Sequence, residues 1–176
     1  YISNFRIVKG TAVYTGPFVP PTAPLTTVAN TSLLTLQNDI GSSSFQFRDE
    51  SPLNNLITRN GNAHQGSYSP LVPTSWSAYF DGTGDYLSIT TTSISITGNF
   101  TWESWIYDTG VNAYAEPFTW RSGSPWQGFI VGRNNGENNL SVTVNQSGLS
   151  LTQTSGTYVK NREPYLEPLV RGLRIG

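Results

Sequence analysis

Polar and apolar residues alternate along several short stretches of the chain, most clearly at residues 139–146. In this stretch, NLSVTVNQ, Leu140, Val142 and Val144 share one face of an extended strand, and the residues between them are polar. The alternation recurs at residues 85–97, DYLSITTTSISIT. Because successive side chains of a strand point to opposite faces, this pattern predicts half-buried antiparallel strands.

Turn-forming pairs separate the predicted strands. They include NG at residues 60–61 and 135–136, DG at 81–82 and SG at 147–148. No stretch combines the apolar spacing of a helix with a capping residue. Many short strands joined by such turns are typical of a β-sandwich or jelly roll.

The segment TGPFVPPTAPLT, residues 15–26, differs from the rest because it contains four prolines. Proline fixes φ and cannot donate to a strand ladder, so the segment predicts an extended, semi-rigid connector. This gives three parts: an appended strand at residues 1–14, a connector at 15–30 and one sandwich domain at 31–176.

The two ends of the chain resemble each other. YISNFRIVKG at the start and LVRGLRIG at the end agree at Arg6 and Arg174 and at Ile7 and Ile175, and in apolar character elsewhere. They are candidate copies of one closing strand, and the first copy pairs either with its own body or with a neighbouring molecule. We expect that deleting residues 1–24 leaves a body that folds but no longer assembles. The residues that form this assembly arm are Tyr1, Ile2, Phe5, Ile7, Tyr14 and Phe18.

Composition excludes several classes of protein. The net charge is −1 and the ten Lys and Arg are scattered, so no nucleic-acid or anionic-membrane partner is expected. The absence of Cys excludes disulfides and thiolate metal sites, and no apolar run reaches the roughly 18 residues of a membrane span. The absence of Met predicts a processed product or a segment of a longer protein.

Catalytic residues are sparse. His64 is the only histidine and lies in a loop rich in Gly and Asn. Retaining glycosidases need two carboxyl groups about 5–5.5 Å apart, whereas the strand TWESWIY has Glu103 as its only carboxylate. We therefore expect a protein that is not an enzyme and has no cofactor.

Asp81 and Asp85, in FDGTGDY, allow two interpretations. The two carboxylates and nearby carbonyls supply the oxygen ligands that Ca²⁺ prefers. Alternatively, Asp81 accepts hydrogen bonds from backbone N–H groups of a tight turn. The lack of a third acidic residue nearby favours the capped turn.

Aromatic residues are concentrated at residues 100–126. On the predicted strand, Phe100, Trp102 and Ile106 share one face and should lie in the core, while Trp105 and Tyr107 share the other with Glu103. The loop aromatics and their polar neighbours are candidates for stacking on a glycan, although packing within a core or between subunits explains them as well. This candidate group is Tyr114, Trp120, Arg121, Trp126, Arg133, Asn134 and Asn135.

SAYFDGTGDYLSI at residues 77–89 and GNFTWESWIY at residues 98–107 resemble the laminin-G-like, or concanavalin A-like, jelly-roll family. The first 25 residues resemble the closing strand and connector of tandem copies in marine phage structural proteins. Residues 156–176 depart from the family pattern, so either the last strands are shortened or the domain is incomplete.

The resemblance implies an all-β jelly-roll sandwich of two antiparallel sheets. It also implies a non-catalytic structural or adhesion module of an extracellular assembly, namely a phage virion in which the chain is a capsid decoration or tail-fibre component. Its partners would then be other virion subunits, including copies of itself. The alternative is a lectin-like module that binds cell-surface glycan through the loop aromatics.

Overall fold

The chain is all-β. The computed structural model describes residues 1–37, 45–66, 71, 76–90, 99–107, 115–122, 127–133, 140–146, 149–154 and 168–173, and these contain no helix. They form twelve strands: β1 (Ile2–Lys9), β2 (Thr31–Thr35), β3 (Ile57–Asn60), β4 (His64–Gly66), β5 (Ser77–Tyr79), β6 (Tyr86–Ile89), β7 (Phe100–Ile106), β8 (Ala115–Ser122), β9 (Gln127–Arg133), β10 (Leu140–Gln146), β11 (Leu149–Thr154) and β12 (Pro168–Leu173). The predicted all-β class is confirmed, and no helix in this part of the chain has the length and apolarity to cross a bilayer.

The strands belong to two compact units. The larger comprises Tyr1–Tyr107 with Tyr165–Gly176, and the smaller comprises Asp108–Pro164. In the larger unit, a six-stranded sheet has the order β12-β7-β1-β5-β4, with β2 also pairing with β1, and β3 pairs with β6. All of these pairings are antiparallel. The sequence predicted a single domain at residues 31–176, whereas the structure divides this range and groups residues 1–14 with the larger unit.

The smaller unit is an antiparallel meander with the order β11-β10-β9-β8. Its best-predicted strand, β10, pairs along its length with both neighbours. Val131 and Val142 are buried, and the rings of Phe118 and Phe129 lie 5.6 Å apart. Gly128 has φ 151°, and a Cβ atom there would overlap the Trp120 carbonyl, so β8 and β9 approach each other too closely for a side chain.

The first strand lies inside the larger sheet. β7 pairs with one side of β1, while β5 and then β2 pair with the other. Both faces of β1 are covered, since neighbouring Ile7 and Val8 are each 0% exposed. Of the two pairings that the sequence left open, the single chain adopts pairing with its own body. Residues 1–9 are therefore an interior strand and not an arm separate from the body, because this strand supplies ladder hydrogen bonds and buried side chains on both sides.

A bulge at Asn4 lets β1 change partners. Ser3 lies opposite Trp105 and Arg6 opposite Glu103, so β1 has one residue more than β7 over this span. Asn4 has φ 51°, a left-handed conformation that Asn tolerates better than most residues. Its N–H donates to the carbonyl oxygen of Leu36 at 2.9 Å, and its Oδ1 accepts from the N–H of Leu25 at 2.8 Å. The bulge marks the point where pairing with β5 ends and pairing with β2 begins.

One face of the six-stranded sheet is apolar. Ile7 lies opposite both Leu33 and Trp102, and Phe5 makes an edge contact with Trp102 at 5.9 Å between ring centroids. Phe100 and Trp102 are 0% and 2% exposed. The sequence prediction that these two residues lie in the core is confirmed, while Ile106 at the end of the strand is half-buried.

Candidate functional site

The opposite face of the sheet contains a buried ion pair. Arg6 of β1 and Glu103 of β7 are register partners, and their side chains are 6% and 1% exposed. The Arg6 Nε donates to Glu103 Oε1 at 2.5 Å, and Arg6 Nη1 donates to the carbonyl oxygen of Thr26 at 2.7 Å. The guanidinium therefore links two strands of the sheet to the proline-rich connector.

The segment that leads from β1 into the connector folds back over this face. The Tyr14 hydroxyl donates to Glu103 Oε2 at 2.8 Å, and the N–H of Val13 donates to Thr101 Oγ1 at 2.8 Å. Burial, followed by the hydrogen bond and negative charge of Glu103, raises the pKa of Tyr14 to about 12. The phenol thus remains a donor at neutral pH, and its ring stacks on Phe18 at 4.0 Å between centroids. Both oxygens of Glu103 accept hydrogen bonds in this network, which gives the carboxylate a structural role.

Four aromatic side chains form a row across the end of the same face. We call Tyr107, Tyr1, Tyr79 and His64 the aromatic row. Their ring centroids are separated by 6.2 Å for Tyr107 and Tyr1, 4.9 Å for Tyr1 and Tyr79, and 5.0 Å for Tyr79 and His64. Neighbouring rings are tilted by 48–50°, and all four residues are half-buried.

Strand pairing assembles the aromatic row. His64 and Tyr79 are register partners. Ile2 lies opposite both Ile106 and Ala78, so Tyr1 falls between Tyr107 and Tyr79. The sequence did not predict this row, because its members are distant along the chain. No local pattern in the sequence signals it, because only the strand register brings Tyr1 beside Tyr107 and Tyr79.

The DG turn forms next to the row and confirms the capped-turn interpretation. Asp81 Oδ1 accepts from the N–H of Thr83 at 2.7 Å, and Asp81 Oδ2 accepts from Asn62 Nδ2 at 3.1 Å. Asp85 Oδ1 and Oδ2 accept from the N–H groups of Asn62 at 2.7 Å and Asp81 at 2.9 Å. Asp81 and Asp85 are the calcium candidates from the sequence, and here both carboxylates bind N–H groups. Within the described ranges, no three His or acidic side chains cluster as metal ligands.

Acid should weaken this turn. The backbone hydrogen bond from Thr83, then that from Asn62, lowers the pKa of Asp81 from its ordinary value. A group whose pKa is lower in the folded state stabilises the fold above its unfolded pKa, about 3.9, and this contribution is lost as the pH falls through the folded value. We expect the melting temperature of the parent chain to fall more than that of Asp81→Asn between pH 5 and pH 3. Parallel thermal melts test this, and equal slopes would contradict it.

The loop residues proposed for glycan contact are described only in part. Trp120 was expected in a loop, but it lies within β8, where it is half-buried and opposite Phe129 of β9. Arg121 is exposed and pairs with Glu116, with Nη2 and Oε1 2.5 Å apart. Arg133 is the last residue of β9, and its side chain is not among those that the structure describes. The remaining members lie outside the described residues, so the group stays a prediction: Tyr114, Trp126, Asn134 and Asn135.

The residues of the predicted assembly arm are distributed over three locations. Tyr1 belongs to the aromatic row. Phe5 and Ile7 are buried in the sheet, and Ile2 is half-buried beside them. Tyr14, just before the connector, stacks on Phe18 within it, and Phe18 is 37% exposed. These residues hold the sheet and connector together within one chain.

No protein-family model, curated protein or solved structure matches the chain. The interpretation of the site therefore depends on its geometry and chemistry.

Proposed function

We propose that this chain is a non-catalytic structural and adhesion module of an extracellular assembly, with a jelly-roll sandwich fold of the concanavalin A-like type. Its first 25 residues resemble a segment of marine phage structural proteins, and this resemblance favours a phage virion as the assembly. In the virion, the chain is a capsid decoration or tail-fibre component. Its partners are further copies of the chain and other virion subunits. The observation that supports a structural role most directly is the placement of β1 and β12.

β1 and β12 lie on opposite sides of β7, and both run antiparallel to it. They are therefore parallel to each other. Glu103 faces Arg6 on one side and Val170 on the other. The sequence match aligned Arg6 with Arg174, whereas the strand register makes Val170 the counterpart of Arg6. The two similar ends therefore both pair with β7, but the residues that match in sequence do not lie opposite the same residue of β7.

This arrangement resists pulling. Force applied to the start of β1 and the end of β12 acts in opposite directions along the strands. Hydrogen bonds in antiparallel ladders are perpendicular to the strands, so the bonds on both sides of β7 bear this load together. The Arg6–Glu103 pair and the hydrogen bond from Tyr14 add side-chain links across the same region. A module of this kind transmits tension within a fibre or shell.

Single-molecule force spectroscopy tests this role. The chain is pulled once through its two ends, which loads β1 and β12 in shear. In the control, it is pulled through a thiol handle at Lys9→Cys and the C-terminal end, which is selective because the chain has no Cys. Lys9 and Leu173 both lie opposite Phe100. In the control, force therefore acts at the same end of β1 and β12 and peels them apart, so their hydrogen bonds to β7 break one at a time. We expect a clearly higher unfolding force in the first geometry, and equal forces would count against the proposal.

A further inference from the structure

We propose that the aromatic row is a binding platform for a neutral, soluble polysaccharide. This site lies on the six-stranded sheet and shares no residue with the loop aromatics of the smaller unit. The inference goes beyond the load-bearing role and does not depend on it, since binding and unfolding force are measured separately.

The spacing of the rings suits a chain of sugars. One face of a pyranose ring presents C–H groups with slight positive charge, and the face of an aromatic ring is negative. Adjacent strands are about 4.8 Å apart, and the ring centroids in the row follow at 4.9–6.2 Å. Because this spacing is close to the width of one pyranose, successive sugars can each meet one ring.

The row is held in place before any ligand binds. The N–H of Tyr107 donates to the carbonyl oxygen of Tyr1 at 2.9 Å. Tyr107 also packs against Leu71 and Trp105, each 8% exposed. Each residue of the row nevertheless remains partly exposed. Rings that are already positioned lose little conformational entropy when they bind, which favours binding to a weakly interacting surface such as sugar.

The tilt of the rings selects the shape of the ligand. Each neighbouring pair is tilted by 48–50°, so the four rings present no common plane. A flat crystalline polysaccharide face would contact few of them. A single chain whose sugars turn from one to the next can follow them, which points to a soluble polysaccharide.

Groups at one end of the row can bind hydroxyls. His64 Nδ1 lies 3.3 Å from the carbonyl oxygen of Asn62, and the side chain of Asn62 donates to Asp81. Each carboxylate oxygen can accept a further hydrogen bond. Among the described residues, the charged groups of this turn are Asp81, Asp85 and Arg59, whose Nη1 donates to the carbonyl oxygen of Gly61 at 2.7 Å. With two carboxylates and one guanidinium, the surroundings do not attract a polyanion, so we infer a neutral glycan.

Affinity electrophoresis of the full chain tests the site. The gels contain laminarin or hydroxyethylcellulose as soluble neutral probes and alginate as an acidic probe, and pull-down on microcrystalline cellulose supplies the flat probe. We expect laminarin or hydroxyethylcellulose to retard the parent chain. Tyr79→Ala, which removes a ring from the middle of the row, should weaken this binding roughly tenfold, toward the lower end of the effect that one aromatic ring has when it stacks on a nucleic-acid base.

Two variants serve as matched controls. Tyr79→Phe keeps the ring and should bind much as the parent chain does. Tyr86→Ala removes a tyrosine on β6 that is 55% exposed and lies outside the row, and it should not change binding. Thermal melts establish that each variant is folded, and His64→Ala at the end of the row replaces Tyr79→Ala if the latter does not fold.

Four results would contradict the proposal. Failure of both soluble neutral probes to retard the parent chain would overturn the proposal. So would equal binding by the parent chain and a folded Tyr79→Ala or His64→Ala variant. Retardation by alginate alone would refute the neutral ligand, and binding to microcrystalline cellulose alone would refute a chain that turns.

Discussion

A chain that lacks residues 1–24 is expected not to fold its larger unit. The deletion removes an interior strand that pairs with β7 on one side and with β5 and β2 on the other. It also removes Phe5, Ile7 and Val8, which are 7%, 0% and 0% exposed. At about 1.5–3 kcal/mol for each buried side chain, the loss is comparable with the roughly 5–15 kcal/mol that stabilises a typical domain.

Circular dichroism and the dispersion of amide NMR signals measure this outcome. As a control, a synthetic peptide of residues 1–30 should restore the native spectrum when mixed with the truncated chain, while the same peptide with Ile7→Asp should not. A truncated chain with a native, dispersed spectrum would contradict the interior placement of β1. It would also restore the simpler expectation, drawn from the proline-rich connector, that the body folds without its first strand.

Arg6→Met should lower the free energy of unfolding by about 3–5 kcal/mol, because removing one partner of a buried ion pair leaves an uncompensated charge. Here that charge is the carboxylate of Glu103, whose side chain is 1% exposed. Methionine retains much of the apolar volume of the arginine stem, so the loss reports mainly on the charge and its hydrogen bonds. Denaturant unfolding followed by tryptophan fluorescence provides the measurement.

Two comparisons test the cause of this loss. Arg121→Met breaks the exposed pair with Glu116, whose side chains are 45% and 44% exposed, and should cost less than about 1 kcal/mol. The triple variant Arg6→Met, Glu103→Leu and Tyr14→Phe removes all three polar partners and should recover much of the lost stability. Equal losses in Arg6→Met and Arg121→Met would show that the buried pair contributes no more than a surface pair.

Local patterns along the sequence predicted several features that the structure contains. The alternation at residues 139–146 predicted β10, and the apolar positions Phe100 and Trp102 were assigned correctly to one buried face of β7. The DG sequence predicted a turn capped by Asp81. Each of these depends on residues within a few positions of one another, so strand periodicity and turn chemistry were sufficient.

Features that join distant segments were not predicted. The proline-rich connector was expected to separate residues 1–14 from the body, but it folds back, and its Thr26 carbonyl oxygen accepts a hydrogen bond from Arg6. Val13 and Tyr14, just before the connector, bind Thr101 and Glu103 of β7. Proline content indicates an extended backbone but not the surface on which that backbone lies. Both faces of β7 are buried, and the sequence pattern assigned only one of them to the core.

Short-range alternation and turn residues dictate local backbone conformation, so the sequence was sufficient to predict the all-β class, the strand at residues 140–146 and the capped turn. Tertiary contacts, in contrast, place β1 between β7 and the pair β2 and β5 and join Arg6 to Glu103. They also bring four distant residues into one row: Tyr107, Tyr1, Tyr79 and His64. These contacts follow from strand register. Strand pairing depends on the bulge at Asn4 and on the packing of both sheet faces, so it brings together residues whose spacing along the chain carries no periodic signal.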